Sequence, residues 1–198
     1  MINSKKNYIF QVDWFTEQIS WWEEHLSRFK GNPNLHFLEI GSFEGRSAIW
    51  LLENILTDKS SALTCIDTFG GSPEHENTAL HISEIEKHFR HNIKESGFVE
   101  KVIVKKGYSR DILPGLEHNS YDCIYIDGSH KASDVLEDAV LSKMLLKKSG
   151  VIIFDDYIWK EGKNEIDRPK MAIDAFLRAY EGQYNLLYKG KQIIVEFI

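Results

Sequence analysis

Strand-like and helix-like apolar periods alternate along this chain, and that alternation restricts its fold more than any single motif. His36-Phe37-Leu38-Glu39-Ile40, Ala62 to Asp67, Val102-Ile103-Val104, Cys123 to Asp127 and Val151-Ile152-Ile153-Phe154 are short apolar runs of the kind that form buried strands. Segments of helical composition separate them: Ser47 to Leu56, Ile82 to Ser96, a short turn or helix through Ile112 and Leu113, and Ser133 to Leu146. Another helix is expected near Lys170 to Tyr180. Strands joined through helices by short loops require right-handed parallel crossovers. The expectation is therefore an α/β fold with a doubly wound, mostly parallel seven-stranded sheet. YNLLY and QIIVEFI close the chain, separated by Lys189-Gly190. Two residues cannot make a parallel crossover, so the last strand must be antiparallel.

Tyr8 to Phe29, with Trp14, Trp21 and Trp22, reads as one or two amphipathic helices in front of this core. The expected organisation is one domain over 1–198, with a helical extension at 1–33 and a ligand-binding catalytic core at 34–198. Phe69 to Leu80 is the longest stretch without periodicity and the natural candidate for a lid or substrate loop.

Charge narrows the range of partners. Lys and Arg number 24 against 30 Asp and Glu, for a net charge of −6, and the basic doublets Lys105-Lys106 and Lys147-Lys148 build no stripe. That argues against a nucleic-acid partner and leaves room for a small anionic substrate. No apolar stretch approaches the roughly 20 residues of a membrane helix, and Met1-Ile2-Asn3-Ser4-Lys5-Lys6 leads into no signal-peptide core. Cys65 and Cys123 both fall inside apolar runs, where a reduced thiol behaves as a small hydrophobe. The expectation is a soluble, cytoplasmic protein with no membrane partner.

Ligands of a doubly wound sheet bind beyond the carboxyl ends of its strands, so the residues ending each strand matter most. The first strand runs into Glu39-Ile40-Gly41-Ser42-Phe43-Glu44-Gly45. Gly41 and Gly45 permit a sharp turn and close backbone approach, and the helix start that follows offers free N–H groups. A plain glycine turn is the alternative, and the spacing is not the GxGxxG of dinucleotide enzymes. Asp67 ends the second strand, where an ionised carboxylate suits a pair of ribose hydroxyls or caps a turn. Gly107-Tyr108-Ser109 could offer contacts to a base, or Ser109 could cap a helix.

The fourth strand ends in Asp127-Gly128-Ser129-His130 and the fifth in Asp155-Asp156. Adjacent strand ends bring Asp127, Asp155 and Asp156 towards one edge, and like charges that close need compensation. Oxygen ligands of this kind suit a hard divalent cation such as Mg²⁺. The alternative is that one aspartate caps the next helix and another is solvated. His130 stands where an imidazole could take a proton from an alcohol, or could simply hydrogen-bond an aspartate. His81, His88 and His91 read as a solvated helix face, the three tryptophans as core or interface aromatics, and Arg168 and Lys170 as surface charge.

Taken in order, LEIGSFEGRSA, CIDTFGGSPEH, YDCIYIDGSHKASDVLEDAV, LLKKSGVIIFDDY and AIDAFL resemble class I S-adenosylmethionine-dependent methyltransferases. The nearest likeness is to the bacterial O-methyltransferase branch that tailors sugars and natural products, with catechol and caffeoyl-CoA O-methyltransferases more distant. It covers Leu35 to the C-terminus and implies a Rossmann-like methyltransferase fold. By that resemblance Glu39, Gly41, Ser42, Gly45 and Ser47 hold the methionine end of S-adenosyl-L-methionine, Asp67 the ribose, and Ser109 lies near the adenine. Asp127, Asp155 and Asp156 match the metal ligands of the metal-dependent members, and His130, with Asp127, the catalytic residues. In the catechol type the last ligand is usually asparagine, whereas here it is Asp156. The implied activity is metal-assisted methyl transfer to a hydroxyl of a small sugar or natural product. Homo-oligomerisation is left open.

Three other classes stand beside this one. A nicotinamide-dependent oxidoreductase or epimerase would want GxGxxG and a Tyr-x-x-x-Lys pair, and a receiver-like metal module would carry its paired acids after the first strand. A methyltransferase-like fold that binds cofactor without turnover is the third.

Overall fold

Seven strands join into one sheet in the order β3-β2-β1-β4-β5-β7-β6. They are β1 (His36–Ile40), β2 (Ala62–Asp67), β3 (Val102–Lys106), β4 (Tyr121–Ile126), β5 (Leu146–Phe154), β6 (Tyr184–Lys189) and β7 (Ile193–Phe197). This is a computed structural model, and it describes residues 6–72, 79–160 and 164–198. The first five strands pair in parallel, while β7 lies antiparallel to both β5 and β6. The expected doubly wound sheet with an antiparallel last strand is present. Its order reverses between β1 and β4, so the loops leaving those two strands diverge and open the crevice in which such sheets take ligands.

Among the described residues six α-helices flank the sheet: α1 (Ile19–Leu26), α2 (Arg46–Asn54), α3 (Ile85–Ser96), α4 (Ser109–Ile112), α5 (Ala132–Leu145) and α6 (Pro169–Ala179). The strand period of two sorts the core into two layers. Phe37, Leu63, Cys65, Cys123, Tyr125 and Ile153 face one side, with Trp22, Leu52 and Phe89. Leu38, Ile40, Ile124, Ile126, Ile152 and Phe154 face the other, with Val135, Ala139, Ile173 and Phe176. Among the described residues no helix is long and apolar enough to cross a membrane.

The N-terminal segment departs from the sequence expectation. Residues 8–15 are not helical; only Ile19–Leu26 forms α1, with single 3₁₀ turns on either side. The reason is that side chains elsewhere, not the i−4 carbonyls, satisfy this backbone. Asn92 accepts from Ile9 N (2.7 Å) and donates to Ile9 O (2.7 Å). Glu44 accepts from Gln11 N at 2.7 Å, and Asp13 from Thr16 N at 3.0 Å. The histidine face of α3 differs in the same way: His88 pairs with Glu44 (2.7 Å) and His91 with Asn7 O (2.8 Å). These histidines hold the N-terminal strap against α3 and are only half-exposed. Part of the expected 69–80 loop, residues 73–78, lies outside the described residues.

Candidate active site

Two groups of residues meet at the crevice between β1 and β4. The first is the turn after β1. Gly41 has φ +88°, and a Cβ there would sit 2.0 Å from the Asp127 carbonyl oxygen, so the loops after β1 and β4 touch backbone to backbone. Gly45, at φ +81°, opens α2 against the Phe89 ring. Between the glycines, Phe43 adopts a left-handed φ of 47°, and Phe69 after β2 does the same at 54°. Side-chain residues resist that region by about 1–2 kcal/mol each, so something must hold them there. Asp67 does: its Oδ2 accepts from Phe43 N (2.7 Å) and its Oδ1 from Phe69 N (2.6 Å). One carboxylate thus ties the turn after β1 to the turn after β2.

Beneath this turn Glu39 is fully enclosed. Ser47 Oγ donates to its Oε1, and Cys65 Sγ lies 3.6 Å from its Oε2. Burial pushes the Glu39 carboxyl up to about 7, against the opposing pull of the neighbouring hydroxyls. Ser42 Oγ, itself buried, leans towards Glu39 without a well-formed hydrogen bond. A buried hydroxyl so weakly held beside a glycine cradle fits a polar ligand at this turn. Ser109 begins α4 and lies against Asp138 of α5, a buried carboxyl pushed up to about 7 by burial.

The second group comprises the acids at the ends of β4 and β5. Tyr125 Oη is 2.9 Å from Asp127 Oδ2 and also hydrogen-bonds Asp155 Oδ2. A phenol has one proton and can donate to only one of two carboxylates. Gln192 Nε2 donates to the same Asp155 oxygen (2.9 Å), while Asp156 N donates to Asp155 Oδ1 (2.7 Å). His130 Nε2 pairs with Asp156 Oδ2 at 2.6 Å, and Trp159 covers the imidazole with ring centroids 4.2 Å apart. Asp156 is itself left-handed, at φ 56°. Burial, then the charges of Asp155 and Asp156, raise the Asp127 carboxyl well above the usual range. Asp155 is pushed up to about 6, by burial first and then by Asp156.

Three carboxylates and an imidazole therefore gather at one edge, as the sequence led us to expect. Their donor chemistry suits a hard divalent cation. Their aim is different from that expectation: among the described residues no group of three His, Cys, Asp or Glu side chains is disposed to hold a metal ion. Asp155 gives both oxygens to protein donors. Sequence reasoning passed over Tyr125 and Gln192, whereas Trp159 begins the 159–168 stretch expected to shape the acceptor pocket. Tyr125 had a signal, since it stands two residues before Asp127 and so on the same face of the strand. Gln192 had none, because it reaches Asp155 only through the pairing of Ile193 with Phe154.

A family model described as a methyltransferase domain matches residues 38–157, more than half of the chain and both groups of the site. The chain belongs to this methyltransferase family. In sequence the methyltransferase is 29% identical, over 136 residues, to the uncharacterised protein R132 of Acanthamoeba polyphaga mimivirus. That match covers 68% of this chain and 57% of the viral protein, so the chain spans little more than half the length of that relative. In fold it is similar to an O-methyltransferase from Bacillus cereus solved in complex with SAH, with a TM-score of 0.67 and 17% identity over 94% of this chain and 83% of that one. It is likewise similar to TomG of Streptomyces achromogenes, an O-methyltransferase involved in tomaymycin synthesis and solved with SAM. There the TM-score is 0.60, with 18% identity over 87% of this chain and 75% of the other. At such identities the likeness is one of fold, a Rossmann-like methyltransferase sheet.

Proposed function

We propose that this methyltransferase uses S-adenosylmethionine to methylate a hydroxyl on a small sugar or natural product. The observation that carries this reading is the contact of Gly41 with the Asp127 carbonyl. It sets the glycine turn, suited to the methyl donor, directly against the acids and His130, suited to an acceptor. Two fold neighbours solved with SAH and SAM support the choice of donor.

When bound, S-adenosylmethionine supplies an electrophilic methyl on a sulfonium. Glu39 to Gly45, with the weakly held Ser42 hydroxyl and Ser47, line the place for its methionine end. Asp67, at the end of β2, takes the ribose hydroxyls, and Ser109 stands on the adenine side. His130 takes the proton from the acceptor hydroxyl, while Asp156 orients the imidazole and stabilises its charged form. Trp159 packs over that ring and limits its orientation. Asp127, Asp155 and Asp156 would have to turn from their present partners to hold a divalent cation, in our reading Mg²⁺, whose Lewis acidity would lower the hydroxyl pKa.

Calorimetry tests the donor. The protein should bind S-adenosylhomocysteine and not NADH; the reverse pattern would overturn the reading in favour of a nicotinamide enzyme. Exhaustive chelation tests the metal, and should abolish methyl transfer while leaving S-adenosylhomocysteine affinity unchanged. Full activity after chelation would leave His130 as the sole activator of the acceptor.

A further inference from the structure

We propose that Gln192 is a positioning residue: locked by Trp22, its side-chain amide fixes the Asp155 carboxylate and so ties helix α1 to the acid cluster. This rests on reading that cluster as the acceptor side of the methyltransferase site. Gln192 follows the β6 strand and precedes β7, far in sequence from the strand ends that carry the acids. Ile193 pairs with Phe154 across the antiparallel ladder, so Gln192 falls beside Asp155, the residue after Phe154. Gln192 and Trp22 are both fully buried, and no water competes for their hydrogen bonds.

Chemistry decides which way the amide faces. An indole N–H can only donate, and Trp22 Nε1 donates to Gln192 Oε1 at 2.8 Å. The carbonyl end is thereby committed to Trp22, and the NH₂ end must face Asp155, where Nε2 donates to Oδ2 at 2.9 Å. The same Trp22 ring packs edge-to-face on Tyr125, with centroids 4.9 Å apart and planes at 89°. Tyr125 is the other donor to Asp155 Oδ2. A single α1 side chain therefore braces both donors to one carboxylate oxygen. Oδ1 is occupied by the Asp156 amide (2.7 Å), so three donors from β4, β7 and the chain after β5 set the direction of this carboxylate.

Ordinary core packing would not need this arrangement. Replacing both partners of a buried hydrogen bond by apolar groups of similar shape is often nearly neutral for folding. A Trp–Gln–Asp relay is worth keeping where the direction of the acid matters: partners that orient the ligands of a metal site typically tune its affinity or activity by 10- to 100-fold.

The experiment uses the full chain and four proteins: wild type, Gln192→Met, Trp22→Phe and the double variant. Met keeps the length of Gln without its hydrogen bonds, and Phe keeps an aromatic ring without the N–H. Hydrogen exchange at the Asp156 amide, referred to that of Ile152 inside β5, reports whether Asp155 Oδ1 stays in place. Each single variant should accelerate that exchange about tenfold, and the double variant no further, because both act through one relay. Affinity for S-adenosylhomocysteine should stay within about twofold, and binding of Mn²⁺ alone, followed by electron paramagnetic resonance, should weaken about tenfold. Wild-type protection of Asp156 in folded Trp22→Phe would overturn the proposal, as would additive losses in the double variant. If Gln192→Met fails to fold, Trp22→Phe alone decides. Absence of S-adenosylhomocysteine or Mn²⁺ binding to the wild type would remove the donor or the metal from the functional reading. Asp156 exchange would still settle the role of Gln192.

Discussion

The turn after β1 and the loops after β4 and β5 are in backbone contact, yet they handle carboxylates in opposite ways. Asp67 meets backbone N–H groups with both oxygens, and in doing so holds Phe43 and Phe69 in left-handed conformations. Asp127, Asp155 and Asp156 share one phenol proton, one side-chain amide, one backbone N–H and the His130 imidazole. On the first side Asp67 is held by backbone. On the second, burial first and then the neighbouring carboxylates raise the proton affinities of Asp127 and Asp155. On the proposed function, the first half would take the common cofactor and the second the acceptor.

The largest effect should come from removing the proposed proton acceptor of the acid side. His130→Ala is expected to lower single-turnover methyl transfer by roughly 10²–10⁴, with folding and S-adenosylhomocysteine affinity near wild type. Retention of most of the rate would break the division, leaving the acids to activate the hydroxyl without the imidazole.

Next comes an acid that belongs to the donor half but lacks its backbone donors. Glu39 has a folded-state pKa of about 7, raised by burial from 4.5. Between those values the folded chain holds a proton that the unfolded chain releases. Stability from this group is therefore greatest at low pH, falls as pH rises from about 4.5, and is fully lost above about 7. At about 1.4 kcal/mol per pKa unit the loss is on the order of 3 kcal/mol. Glu39→Gln should flatten that slope in denaturant unfolding measured from pH 5 to 8. Parallel profiles for variant and wild type would mean that Glu39 stays ionised in the fold, and that the donor half too is stressed by charge.

The smallest effect probes the completeness of the donor turn. Asp67→Ala removes two charge-assisted bonds to backbone N–H groups and frees two strained phenylalanines. A loss of about 1.5–3 kcal/mol corresponds to roughly ten- to a hundred-fold weaker S-adenosylmethionine binding by calorimetry. Unchanged affinity would show that the glycines alone shape the turn.

Much of this site can be read along the chain because strand ends are local features. The run from Val151 to Phe154 identifies a strand buried on both faces, and Asp155 and Asp156 must then stand at its carboxyl end. The same holds for Asp67 and Asp127. Aromatic spacing misled at Tyr8 to Phe15, where a helix was expected. The bonds that deny that segment a helix come from Asn92 and Glu44, far along the chain. His88 and His91 looked solvated for the same reason.

By itself, then, the sequence determined the alternating α/β pattern, the antiparallel close and the identity of the strand-end acids. Each follows from periodicity or from a turn too short for a crossover. Tertiary structure alone decided how those acids are partnered. That Gln192 reaches Asp155 depends on the register of β7 against β5, and that Trp22 orients Gln192 depends on where α1 packs. Periodicity tells which face of a strand is buried. It carries no information about which distant donor arrives there, because that depends on the relative placement of whole elements, set by the packing of the two core layers.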